Sequence, residues 1–222
     1  MKRSSKDRED ELKFEALFRR GSELLHHGKV NDAVPILQEA HSLDPTHFDA
    51  ALNLSGAYIL TKKFKQAVQL LERLREQEPD NVMVWTNLGA AYLGNPVLAR
   101  DEEQLQAIAA FKQALAIDPI APNVAYNIGL IYRDRRELDL AIHWFEKTLK
   151  ANPRDEDARN LIKKLREMNG RTWSKSKSET MDIMTPTFSP FITRMKAEGL
   201  PQIFIDTFAF FYFYILTGET GY

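Results

Sequence analysis

The chain has 222 residues, with 30 Lys and Arg against 31 Asp and Glu, 10 Gly, 10 Pro and no Cys. That length supports one or two domains with an ordinary buried core, and the lack of cysteine excludes disulfides, thiolate metal sites and a cysteine nucleophile while allowing a reducing, cytoplasmic setting. A formal charge of -1 also argues against the broad positive field of a nucleic-acid binder.

Residues 1–13, Met1-Lys-Arg-Ser-Ser-Lys-Asp-Arg-Glu-Asp-Glu-Leu-Lys13, carry charges where a secretory signal needs an apolar stretch. No export is expected, and the segment reads as a charged extension of the first helix. Four dipeptides then punctuate the chain: Asp44-Pro45, Glu78-Pro79, Asp118-Pro119 and Asn152-Pro153, each closing an apolar helical stretch. The prolines are spaced by 34, 40 and 34 residues, which marks a repeat of about 34 with a six-residue insertion in its third copy.

With proline at position 32, the repeats start at Phe14, Phe48, Val82 and Pro122, and independent positions agree in every copy. Position 8 is Gly21, Ser55, Gly89 and Gly129; position 11 is Leu24, Tyr58, Tyr92 and Tyr132. Position 20 is Ala33, Ala67, Ala107 and Ala141; position 24 is Leu37, Leu71, Phe111 and Phe145. Small residues at 8 and 20 let two helices approach, and the large residues at 11 and 24 fill the space between them and the next repeat. Each pair alone leaves a face uncovered, so stacking builds the core.

This combination resembles the tetratricopeptide repeat. The resemblance implies an all-α chain, a right-handed α-solenoid of four helix pairs over 14–153 (14–47, 48–81, 82–121 and 122–155) with a concave inner surface. A capping helix over 154–168 follows, in which Lys163 and Arg166 replace positions 8 and 11 and solvate the end of the stack. The insertion lies between Tyr92 and Ala107, after Gly94-Asn95-Pro96, with Asp101, Glu102 and Glu103 suited to the first turn of the next helix. It reads as an enlarged surface loop rather than a break in the solenoid.

In that family the first helix of each pair lines the inner surface. Position 6 is Arg19, Asn53, Asn87 and Asn127, so three asparagines form a row whose paired donors and acceptors suit the amide groups of an extended peptide. The row is similar to the asparagine ladder of O-linked N-acetylglucosamine transferase and related repeat proteins. Phe18, Leu52, Ile59, Met83, Leu93, Tyr126 and Leu130 make the expected groove apolar, with Arg19 and Arg133 near its ends. The implied partner is an extended or helical polypeptide with apolar side chains and acidic groups at its ends. The carboxylate clamp of co-chaperones in this family is not matched: its five positions here are Phe18, Ser22, Asn53, Met83 and Asn87, of which only Asn53 agrees.

Nothing in the sequence supplies catalysis. There is no phosphate loop, zinc-protease pair or nucleophile elbow. The histidines His26, His27, His41, His47 and His143 lack metal-ligand spacing, and His143 with Glu146 reads as a solvated pair. No catalytic residue, metal or cofactor is expected.

Residues 169–183 read as a polar linker. The tail, 184–222, is rich in aromatics: 10 of the 23 in the chain lie after Met181. Its most apolar stretch, 203–216, is shorter than a membrane span and holds Asp206. Phe204, Phe208, Phe211 and Ile215 form one stripe, and Ile205, Phe210, Phe213 and Tyr214 cover the other sides, so a helix here needs burial. Self-association through the tail, or docking to a partner, would supply it. Met184-Thr-Pro-Thr-Phe-Ser-Pro-Phe191, Ile205-Asp-Thr-Phe208 and Leu216-Thr-Gly-Glu-Thr-Gly221 resemble the helical lead-in of bacterial UTP–sugar-1-phosphate uridylyltransferases. That resemblance implies a second reading, a regulatory or accessory part of such an enzyme, and carries over no catalytic residue. The first reading is a non-catalytic scaffold.

Overall fold

In a computed structural model of the chain, the structure describes residues 5–170. These form nine helices and no strand among the described residues: α1 (Ser5–His26), α2 (Val30–Leu43), α3 (Phe48–Leu60), α4 (Phe64–Gln77), α5 (Val82–Leu93), α6 (Asp101–Ile117), α7 (Val124–Asp134), α8 (Leu138–Ala151) and α9 (156–170). By its contacts the chain divides into two units, Met1–Arg166 and Glu167–Tyr222, and all four helix pairs lie in the first. There each helix packs on the next in sequence, and first helices also touch, α1 on α3 and α3 on α5, which is the stacking of an α-solenoid.

Two kinds of corner recur. Between repeats, the residue before each proline leaves helical geometry with nearly the same φ: -132° at Asp44, -131° at Glu78, -127° at Asp118 and -132° at Asn152. A residue preceding proline is sterically pushed from helical geometry, so the same dipeptide makes the same exit four times. Side chains then start the next helix. Asn81 accepts from the Met83 and Val84 amides at 3.1 and 3.3 Å, His47 Nδ1 from Ala50 N at 3.2 Å, and Asp155 Oδ1 from Ala158 N at 2.9 Å. Pro35 is a proline that stops nothing: it sits exposed inside α2.

Within repeats one, two and four, the corner passes through a single left-handed residue, Gly28 (φ 71°), Lys62 (φ 60°) or Arg136 (φ 64°). The following amides of Lys29, Lys63 and Glu137 donate back to Leu24, Tyr58 and Tyr132 carbonyls at 2.8, 2.8 and 3.0 Å, closing the helix in the manner of a Schellman cap. The third repeat departs from this. Its α5 ends at Gly94 (φ 57°), a loop runs to Arg100, and α6 is 17 residues long where α2, α4 and α8 have 14. The insertion expected to enlarge a loop therefore also adds most of a turn to α6. Asp101, Glu102 and Glu103 fill its first turn, and the Arg100 amide donates to Glu103 Oε2 at 2.9 Å.

The core follows the repeat positions. Ala33, Ala67, Ala107 and Ala141 are wholly buried, as are Leu37, Leu71 and Phe145, with Phe111 nearly so. A Cβ built on Gly21, Gly89 or Gly129 would lie 2.6, 2.6 or 2.8 Å from the Leu37, Phe111 or Phe145 side chain, so position 8 presses on position 24 of its own repeat. Ser55 is the exception and is fully buried, its hydroxyl donating to the Leu52 carbonyl at 2.7 Å. At the far end, Ala158, Ile162 and Leu165 of α9 close the core while Lys163 and Arg166 face out. Arg166 keeps a bond to the stack through Glu146 Oε1 at 2.7 Å.

Candidate binding surface

The helix pattern that buries positions 8 and 11 of each first helix turns positions 2, 6, 9 and 12 away from the second helix, with position 5 at the edge of the packed face. On α5 and α7 this leaves Asn87 and Asn127 half-buried, and among the described residues neither amide makes a hydrogen bond. Asn53 differs. Its Nδ2 donates to Ser22 Oγ at 3.0 Å, and that hydroxyl donates to the Phe18 carbonyl at 2.8 Å, so the amide is tied to α1. The row expected from the sequence thus holds two open amides and one engaged one. Asn53 and Ser22, both clamp positions, satisfy each other.

The apolar positions also divide. Leu52 is buried in the core and lines no open surface. Phe18 is half-buried between Phe14 and His47, with ring centroids 5.9 and 5.1 Å away. Ile59, Leu93 and Leu130 are half-buried, and Met83 is exposed. The Tyr126 ring packs edge-on to Phe145 at 5.3 Å, and burial pushes its hydroxyl pKa upward, with the Asp157 and Asp155 carboxylates pushing the same way. Arg19 is exposed, whereas the Arg133 guanidinium is held by Asp134 Oδ1 at 2.7 and 2.8 Å. The Arg133 charge is thus already paired within its own helix. Phe204, Phe208, Phe211 and Ile215, and the whole of 184–222, lie outside the described residues.

Tyrosines at position 11 tie one repeat to the last. Tyr58 Oη accepts from Gln38 Nε2 at 2.9 Å, and Tyr92 Oη donates to Glu72; burial first, and the Glu72 bond and charge after it, push the Tyr92 pKa up to about 12. Glu146, read beside His143 as a solvated pair, stays partly exposed and engages Arg166. No group of three metal-ligating side chains occurs among the described residues, and none of their helices is long and apolar enough to cross a membrane.

Family models described as tetratricopeptide repeat match residues 24–91 and 105–156, more than half of the chain between them. The chain belongs to the tetratricopeptide repeat family. The stretch between the two matches contains the inserted corner of the third repeat. Among curated proteins, the tetratricopeptide repeat-containing protein trd-1 of Caenorhabditis elegans is 28% identical over 137 residues, 62% of this chain and 17% of that protein. The chloroplastic tetratricopeptide repeat domain-containing protein PYG7 of Arabidopsis thaliana is 28% identical over 109 residues, 47% of this chain and 34% of that protein. The chain thus spans between 17% and 34% of these relatives. Among solved structures, MamA AMB-1 superposes with a TM-score of 0.59 at 27% identity, over 72% of this chain and 85% of that one. Tetratricopeptide repeats are protein-interaction scaffolds, and the repeat region of this chain is built as one.

Sequence reasoning missed Asn123, Asp155 and Asp157 as neighbours of Tyr126. The Asp155-Glu156-Asp157 run was visible, but as the polar start of a cap.

Proposed function

We propose that this chain is a non-catalytic, cytoplasmic scaffold that holds an extended or helical polypeptide segment along the inner positions of its first helices. The observation that supports this most is the pair of open amides, Asn87 and Asn127, set among Met83, Leu93, Leu130 and Tyr126. An amide beside a backbone can donate and accept at once, and it grips the main chain without reading the side chain; the apolar neighbours add burial. Asn53 engages a ligand only after releasing Ser22, and contributes less.

The test is capture of peptides from a random displayed library by the full chain, followed by affinity measurement. Replacing Asn87 and Asn127 together by Ala is expected to weaken binding about tenfold, as loss of two net hydrogen bonds would, with helicity unchanged by circular dichroism. Equal affinity in the double variant rejects the reading. The aromatic tail, with Phe204, Phe208, Phe211 and Ile215, we assign to self-association or partner docking. Deleting the chain after Gly170 should then lower the mass seen by light scattering or abolish capture of a partner.

A further inference from the structure

The corners 118–123 and 152–155 border a pocket of about 180 Å³ at the last full repeat. That is smaller than the cavities that hold small molecules, about 300–1,000 Å³, and suits one side chain. Pro122, Tyr126 and Ala151 form apolar wall, and Asn123, Asn152 and Asp155 stand at the polar side. Asn123 and Tyr126 occupy positions 2 and 5 of their repeat, the register that also brings Asn127 inward, so the pocket continues the surface described above.

Its electrostatics are one-sided. Asp155 Oδ1 is used in capping α9, but its second oxygen has no partner among the described residues, nor does the Asn123 amide. Asp157, in the first turn of α9, forms no ion pair there either. Both carboxylates act on the Tyr126 hydroxyl more strongly than Arg133 does, whose charge is already paired with Asp134. The amino-terminal end of α9 contributes about half a positive charge, less than the two carboxylates beside it.

We propose that this pocket receives a lysine or arginine side chain of the bound polypeptide, its aliphatic stem along Pro122 and Tyr126 and its cationic head at Asp155 and Asp157. Lysine and arginine match a site with an apolar wall and a charged mouth because their stems bury while their heads stay polar, and the tyrosine face adds attraction for a cation. The partner's chemistry is thus basic at this end, not acidic as Arg133 led the sequence to imply. The proposal rests on the groove reading.

The test uses the full chain and a random displayed peptide library, then synthetic forms of the enriched peptides measured by fluorescence anisotropy. Enriched peptides should share a lysine or arginine. Replacing it by Gln, or making the Asp155→Asn and Asp157→Asn double variant, should each weaken binding about tenfold. The two losses should not add, because they remove one interaction, and the binding should weaken with salt. Asn at 155 keeps the helix cap, and an unchanged unfolding midpoint confirms that the fold is intact. Peptides that bind through Asn87 and Asn127, yet show no basic preference and ignore the aspartate changes, overturn the pocket assignment and leave the groove reading standing. A library from which nothing is enriched overturns both.

Discussion

The first two repeats and the last two are built to one plan with different parts. In the first half, position 24 is leucine and the partner at position 8 is Gly21 or buried Ser55; in the second it is Phe111 or Phe145 against Gly89 or Gly129. A leucine can move its outer methyls to accept a serine, but a rigid phenylalanine ring pressed close to a helix backbone requires the missing Cβ. The polar ties differ as well. Tyr58 and Tyr92 each bond back to the preceding repeat through Gln38 and Glu72. The residue in that register for Tyr132 is Lys112, whose ammonium sits 5.9 Å from the Trp144 ring. The fourth repeat is tied by Arg135 instead, which reaches Asp101 and Gln104 at 3.1 Å and Glu137 at 2.6 Å. Asp101 and Gln104 belong to the lengthened start of α6. The insertion therefore supplies at this junction the polar contact that a tyrosine supplies at the others.

The sharpest way to break this comparison is to add a methyl group at position 8 of each half. Gly89→Ala should cost about 1–3 kcal/mol through overpacking on the Phe111 ring. Gly21→Ala should cost less, because part of the strain is relieved by Leu37 and part offset by better helix propensity, about 1 kcal/mol. Chemical denaturation followed by circular dichroism measures both, and an equal or larger loss at Gly21 contradicts the difference drawn between leucine and phenylalanine.

A smaller effect is expected from Arg135→Ala, about 1–2 kcal/mol for charge-assisted bonds at a side chain only 19% exposed. Because stability in a solenoid is carried between neighbours, hydrogen exchange should quicken in α7 and α8 and stay unchanged in α1 to α4. Uniform quickening would show that the halves are not separable.

The smallest effect separates the halves by pH. Among the described residues, His41 Nδ1 is the buried side-chain atom without a partner, and it lies in the first half. Burial holds the His41 pKa below its ordinary 6.5, Arg73 pushes it further down, and Asp44 opposes both. The unfolded chain then binds the proton more readily. The His41 contribution is complete above about pH 6.5 and is lost as pH falls through the lower, folded value. Stability of the native chain should thus decline modestly more between pH 7 and pH 5 than that of His41→Gln, with the exchange increase confined to α1 to α4. Identical pH profiles would remove His41 as the cause.

Much of this architecture was legible in the chain because close helix packing leaves few choices at recurring positions. The four prolines place the corners, and Ala33, Ala67, Ala107 and Ala141 mark the tightest approach. The surface was less legible. Position 6 identifies three asparagines alike, yet Asn53 is consumed by Ser22, a contact across 31 residues that no spacing reveals. Arg133 reads as a free cation until its own neighbour, Asp134, is seen to hold it. The run Asp155-Glu156-Asp157 reads as a solvated cap until α7 brings Tyr126 beside it.

Sequence alone determined the repeat, its family, the helix corners and the core, because backbone restriction at proline and exclusion at small residues act locally and recur. Tertiary structure decided which polar groups remain open. Whether a side chain is free for a ligand depends on what the neighbouring repeat has already offered it, and that is settled only when the repeats stack.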